Sequence, residues 1–230
     1  MTARRTIAPA YWGQDRAYWE AALADPTVAE LVVNVDSGPG LVADVGLEVW
    51  LDAARARGIR VAGYVATGAG PLDARDYGGK PLELILEEAR AWRRFYGPEL
   101  VPDLFYDEVP AWASLGWLRP LHRAARYPDG RTKTGRAVFN LGAPGVSRAT
   151  MLALPASVWC RWEGPGWLYL AERPRSVFLP SRTLHLVHTI RLEELEAVEA
   201  WANRAAGLSY LTLDGPDGNP WDSFRRQGAR

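Results

Sequence analysis

Leu104-Phe105-Tyr106-Asp107-Glu108-Val109-Pro110 is a short apolar run that ends in two adjacent carboxylates and then a proline. An apolar run this brief reads as a strand buried on both faces, and proline stops it from continuing. Working outward, similar short runs recur at Thr6–Tyr11, Glu30–Val35, Arg60–Val65, Arg136–Asn140, Ser157–Arg161, Thr183–His188 and Leu208–Leu211. Helical patterns separate most of them. Leu82, Ile85, Leu86, Ala89, Trp92 and Tyr96 recur at helical spacing, as do Leu192, Leu195, Val198, Trp201 and Ala205. Further helices are expected near Arg16–Ala24, Val45–Arg57 and Leu115–Tyr127, with a short one after Ser147. Eight strands alternating with helices predict an α/β fold with a parallel sheet, and the number eight favours closure into a (β/α)₈ TIM barrel. A doubly wound open sheet is the alternative. It would want a glycine-rich phosphate turn after the first strand, which Tyr11-Trp12-Gly13-Gln14-Asp15 does not supply.

The 230 residues suit one domain spanning 1–230, with short loops and some reduced helices. Hydrophobic residues make up 48%, enough for a packed core. Basic and acidic residues balance at 27 each, so neither nucleic acid nor an anionic membrane is an expected partner. Cys160 is the one cysteine, which rules out an intrachain disulfide framework and a thiolate zinc site. No signal-peptide pattern follows Met1 and no apolar run has membrane-spanning length, so a cytoplasmic location is expected. The composition leaves oligomeric state open.

In a barrel the site lies at the C-terminal ends of the strands. Those ends read Tyr11 and Trp12, Asn34 and Asp36, Tyr64 and Thr67, Asp107 and Glu108, Asn140, Glu163, His188 and Asp214. Neighbours on extended backbone leave in opposite directions, so Asp107, in phase with Phe105, is expected to face the mouth and Glu108 a neighbouring loop. Carboxylates beside an apolar core are costly without partners or a task. Glu163 follows the sixth strand run. The ends of strands four and six lie roughly 10 Å apart, and inward side chains narrow that towards the roughly 5–9 Å of a glycosidase carboxylate pair. The bland readings are a helix cap or ion pair for the acids of strand four, and an ion pair with Arg161 for Glu163.

His185 and His188 are three apart on a strand and fall on opposite faces, so they cannot chelate one ion together, and no metal site is expected. His122 lies in a helical pattern and reads as a surface or packing residue. Among eleven tryptophans, Trp50, Trp92 and Trp201 sit on helical stripes and are expected in the core. Trp12 and Trp162 end strands, while Trp112, Trp167 and Trp221 fall in loops. An indole beside a carboxylate suits a sugar, its face packing on C–H groups while acids take the hydroxyls.

The ordered set Tyr11, Asn34-Val35-Asp36-Ser37-Gly38-Pro39-Gly40, Gly63-Tyr64-Val65-Ala66-Thr67, Phe105-Tyr106-Asp107-Glu108-Val109-Pro110, Asn140-Leu141-Gly142, Trp162-Glu163 and Asn219-Pro220-Trp221 resembles the spherulin-4 family. The likeness spans nearly the whole chain. It implies a (β/α)₈ barrel related to endo-α-1,4-galactosaminidases, acting on exopolysaccharide and often secreted. Carried over by position, Asp107 matches the family's catalytic Asp, Glu108 its adjacent acid, and Glu163 its second catalytic carboxylate. Several motifs depart from the family: Asn34-Val35 stands for its Asn-Pro, Asn140-Leu141-Gly142 for its Asn-Pro-Gly, Gly68-Ala69-Gly70 for a final aromatic, and Thr212-Leu213-Asp214 for its Thr-Asp.

The expectation is a retaining glycoside hydrolase acting on galactosamine or N-acetylgalactosamine polymers or oligomers. Asp107 is its nucleophile or transition-state carboxylate and Glu163 its general acid/base, with a pKa raised by apolar neighbours such as Trp162. Glu108 supports them, and Tyr11, Trp12, Asn34, Tyr64, Asn140, Trp162 and Asp214 are its sugar-binding set. No cofactor is called for. The rival expectations are a non-catalytic carbohydrate-binding barrel and a barrel using its carboxylates for magnesium-assisted chemistry.

Overall fold

A computed structural model describes residues 6–68, 80–110, 113–127, 129–142, 146–175, 179–214, 219–221 and 224. Eight strands close into a barrel in sequence order: β1 (Thr6–Ala10), β2 (Val28–Val33), β3 (Arg60–Ala66), β4 (Asp103–Asp107), β5 (Ala137–Asn140), β6 (Val158–Pro165), β7 (Thr183–His188) and β8 (Leu208–Leu211). Every neighbouring pair is parallel, and β8 closes on β1. The fold is the (β/α)₈ TIM barrel, not the open sheet.

Helices α1 (Arg16–Ala24), α2 (Val45–Ala56), α3 (Leu82–Leu100), α4 (Leu115–Arg126), α5 (Arg148–Ala153), α6 (Gly166–Glu172) and α7 (Leu195–Ala205) form the outer ring. Asp15, Asp44, Ser114 and Ser147 start α1, α2, α4 and α5 by accepting backbone N–H groups of the first turn. The stripe Ile85, Ala89, Trp92 and Tyr96 is buried, and α3 breaks at Gly97 (φ 76°) ahead of Pro98. The sequence pattern missed α6, a short helix entered directly from β6. Strand β6 also runs on to Pro165, past the expected end at Arg161, so Glu163 lies inside a strand. Among the described residues, no helix is long and apolar enough to cross a membrane.

The N-terminal end of the barrel is closed by charge. Asp103 is fully buried and accepts from Arg60 Nε and Nη2 at 2.8 and 2.6 Å. It also accepts from Arg136 Nε and Nη2 at 3.1 and 2.8 Å, and from the Arg136 backbone N–H. Arg136 Nη2 reaches on to the buried Glu30 at 2.5 Å. Burial pushes the Glu30 carboxyl above its ordinary range, against the pull of Arg136. Two acids and two arginines at the base of four successive strands fix their stagger, far from the mouth.

Candidate active site

At the C-terminal end, Ile7, Pro9, Val32, Phe105 and Leu186 make an apolar floor, and Tyr11, Asp107, Asn140, Glu163 and Trp221 stand around it. The enclosed space is about 10 Å³, room for one water molecule. Any ligand larger than a water molecule must therefore sit over the acids, at the open end.

Asn140, the last residue of β5, joins the two acids. Its Nδ2 donates to Asp107 Oδ1 at 2.7 Å and to Glu163 Oε2 at 2.5 Å. Two oxygens bonded to one nitrogen stand at most roughly 5 Å apart, the short spacing associated with retaining glycosidases. Asn140 Oδ1 accepts from the Gly142 N–H at 2.9 Å, and the Gly142 carbonyl accepts from the Glu163 N–H at 3.2 Å. Gly142 has φ 62°, a conformation glycine adopts without strain. One glycine turn thus locks both the amide and the backbone of the second acid.

Asp107 ends β4. Its Oδ2 accepts from Tyr64 Oη at 2.8 Å, and its Oδ1 accepts from the Glu108 N–H at 2.9 Å. Tyr64 is held from behind: Trp92 on α3 donates its indole N–H to the Tyr64 carbonyl at 2.7 Å. That approach requires glycine at position 63, where a Cβ would lie 2.6 Å from the Trp92 ring. Tyr11 packs edge-on against Tyr64, with ring centroids 5.4 Å apart. Burial and the charge of Asp107 both push the Tyr64 phenol upward, so it stays a proton donor.

Glu163 owes its direction to a β-bulge. Between Cys160 and Trp162, β6 advances two residues while β7 advances one, from Leu184 to His185. The bulge turns Trp162 outward and Glu163 inward, where it pairs in register with the cavity-lining Leu186. Burial of the carboxyl and the nearby Asp107 charge raise the Glu163 pKa to about 7, while hydrogen bonds from Asn140 and Trp221 pull the other way. The expected contribution of Trp162 to this shift is corrected. That indole lies outside the barrel against Tyr169, Val187, Ile190 and Leu211, and Trp221 is the indole that reaches Glu163.

Glu108 leaves the mouth as expected, at φ 55°. Its carboxyl accepts from the Gly68 N–H and its carbonyl from Thr67 Oγ1, which ties β4 to the end of β3. Burial and then the Asp107 charge raise its pKa.

Three more of the expected sugar-binding residues stand away from the small cavity itself. Trp12 is buried outside the barrel against Trp19, Tyr18 and Phe224, because Ile7 and Pro9 of β1, and Tyr11 just after it, take the inward positions. Asn34 accepts from the Gly38 N–H at 2.9 Å and so closes its own turn. Asp214 accepts from Thr212 Oγ1 at 3.1 Å, while its carbonyl accepts from the Thr189 N–H, joining the loops after β7 and β8. Neither Asn34 nor Asp214 lines the cavity.

The histidines divide as expected. His185 faces outward, its Nδ1 paired with Tyr169 Oη at 2.7 Å, and burial depresses its pKa to about 4. His188 lies at the inner end of β7, edge-on to Trp221 at 5.8 Å. His122 Nε2 pairs with the Pro155 carbonyl, a packing role. Trp92 is core, whereas Trp50 and Trp201 are only partly buried. Trp167 is 56% exposed on α6, and Trp112 and the Ala69-Gly70 departure fall outside the described residues.

By sequence Trp221 is a loop tryptophan and the last residue of the Asn219-Pro220-Trp221 motif, outside the expected sugar-binding set. The signal that could have placed it is the Asn219-Pro220-Trp221 turn, in which Asn219 Oδ1 accepts from the Trp221 N–H at 3.0 Å.

No family model matches the chain, and no curated protein matches it by sequence. Among solved structures, it is similar to the crystal structure of Aspergillus clavatus Sph3 in complex with GalNAc. The TM-score is 0.73 at 19% identity, over 96% of this chain and 95% of that one. At that identity the likeness carries the fold: the same barrel, over essentially the full length of both chains.

Proposed function

We propose that this chain is a glycoside hydrolase of amino-sugar polymers or oligomers with α-linked galactosamine or N-acetylgalactosamine units, working by a two-carboxylate retaining mechanism. The observation that supports this most is the single Asn140 nitrogen bridging Asp107 and Glu163. Asp107, oriented by Tyr64 and Asn140, attacks the anomeric carbon. Glu163, protonated at the start, gives its proton to the leaving oxygen and then takes one from the incoming water. The neighbouring fold that was crystallised with GalNAc supports the choice of sugar. The resemblance of motifs to the spherulin-4 family supports the same reading.

The test is incubation of the protein with acetylated and deacetylated α-1,4-galactosamine oligomers, the products being separated by mass. Shortened oligomers are expected. Binding of the oligomers without cleavage, unaffected by Asp107→Asn, would instead establish a carbohydrate-binding barrel.

The pH dependence follows from Glu163. A general acid works while protonated, so kcat/KM is expected to fall as pH rises through about 7. The Trp221 N–H stabilises the charged form of Glu163, so Trp221→Phe is expected to move that falling limb to higher pH. A pH–rate profile of both proteins checks it. A limb that moves down in the variant contradicts the assignment of the Trp221 hydrogen bond.

A further inference from the structure

Cys160 and Glu163 both lie on the inner side of β6, three residues apart. An unbroken strand would place them on opposite faces. The bulge between them makes the difference, and a bulge leaves its strand without a regular ladder hydrogen bond.

The Cys160 side chain, fully buried, occupies that gap. Its Sγ–H donates to the Trp162 carbonyl at 3.2 Å, and the backbone N–H groups of Trp162 and, from β7, Leu186 bond to the same sulfur. Burial, followed by the nearby charges of Glu163 and Asp107, pushes the thiol well above its ordinary value. It is therefore a neutral donor beneath the two acids and has no part as a nucleophile.

We infer that Cys160 is a positioning residue: its thiol stitches the β6 bulge and so keeps the Glu163 carboxyl turned towards Asp107. The inference rests on the two-carboxylate reading for its effect on turnover, but not for its effect on Glu163 itself. Serine keeps both the donor and the acceptor. Alanine keeps neither. Valine fills the space and also keeps neither.

The experiment compares Cys160→Ala, Cys160→Val and Cys160→Ser with the unsubstituted protein. The Glu163 carboxyl is titrated by carbon-detected NMR in the free protein, and kcat and KM are measured on the oligomers. In the alanine and valine variants, the Glu163 titration is expected to fall from about 7 towards the ordinary 4.5 as the carboxyl swings to solvent. Their kcat is expected to drop by about tenfold or more, with KM within about twofold. The serine variant is expected to restore both readouts.

Alanine and valine variants that titrate and turn over like the unsubstituted protein overturn the inference. So does a loss of thermal stability in all three variants with the Glu163 titration unmoved, which would make the thiol packing only. Should the unsubstituted protein cleave nothing, the hydrolase reading fails, and the titration still judges Cys160.

Discussion

Glu163→Gln is expected to lower kcat/KM by about 10²–10⁴ on oligomers whose leaving group needs protonation. The side chain keeps its size, and the amide oxygen can still accept from Asn140, so the main loss is one of proton transfer. The same change is expected to stabilise the fold. The sign follows from the raised pKa. Unfolded, the group titrates at the ordinary 4.5; folded, at about 7. Below the first value both states carry the proton and Glu163 costs nothing. As pH rises between the two values, the unfolded chain releases its proton first and stability declines, reaching its full loss above about 7. Glutamine removes this penalty, about 3 kcal/mol above neutrality and nothing at low pH. Urea unfolding of both proteins at pH 8 and pH 4 measures it. A variant that is inactive and also less stable at pH 8 would mean that Glu163 holds structure and is not a buried acid set there for chemistry.

Asp103→Ala is expected to destabilise the protein by about 3–5 kcal/mol, towards the lower figure because Arg60 keeps access to water. The side chain is fully buried and carries five hydrogen bonds from Arg60 and Arg136. Without it, Arg136 retains Glu30, and Arg60 loses its carboxylate partner. Because this network lies at the barrel's closed end, activity per folded molecule should change little. Denaturant midpoints and kcat at low temperature separate the two effects. A stable variant with altered kcat would contradict the division between a structural base and a chemical mouth.

The barrel was legible because strands buried on both faces leave continuous apolar runs, and the helices between them leave a different period. Asp107 and Asn140 were legible for the same reason: each is the first polar residue after such a run, and the topology puts those ends together. Glu163 was found by position, but its setting was not. A bulge shifts phase by one residue without any compositional mark, so nothing in Trp159-Cys160-Arg161-Trp162-Glu163 shows that Trp162 turns out and Glu163 in. Trp12 is a different kind of miss. Counting in twos from Ile7 through Pro9 and Tyr11 already puts Trp12 on the outer face. At Asn34 the sequence did not show the turn role: the Gly38 N–H four residues on takes the amide oxygen. Trp221 reaches the acids only by the return of the chain after β8, a long-range fact that local pattern does not carry.

Asp107 and Glu163 share one mouth, and the charge of the first acts on the second. The direct measurement is the titration of the Glu163 carboxyl in the unsubstituted protein and in Asp107→Asn. The expected midpoint is near 7 and moves down, though not fully to 4.5, once the Asp107 charge is gone, because burial still raises it. A Glu163 that titrates at 4.5 from the outset, or one that does not respond to Asp107→Asn, contradicts that expectation.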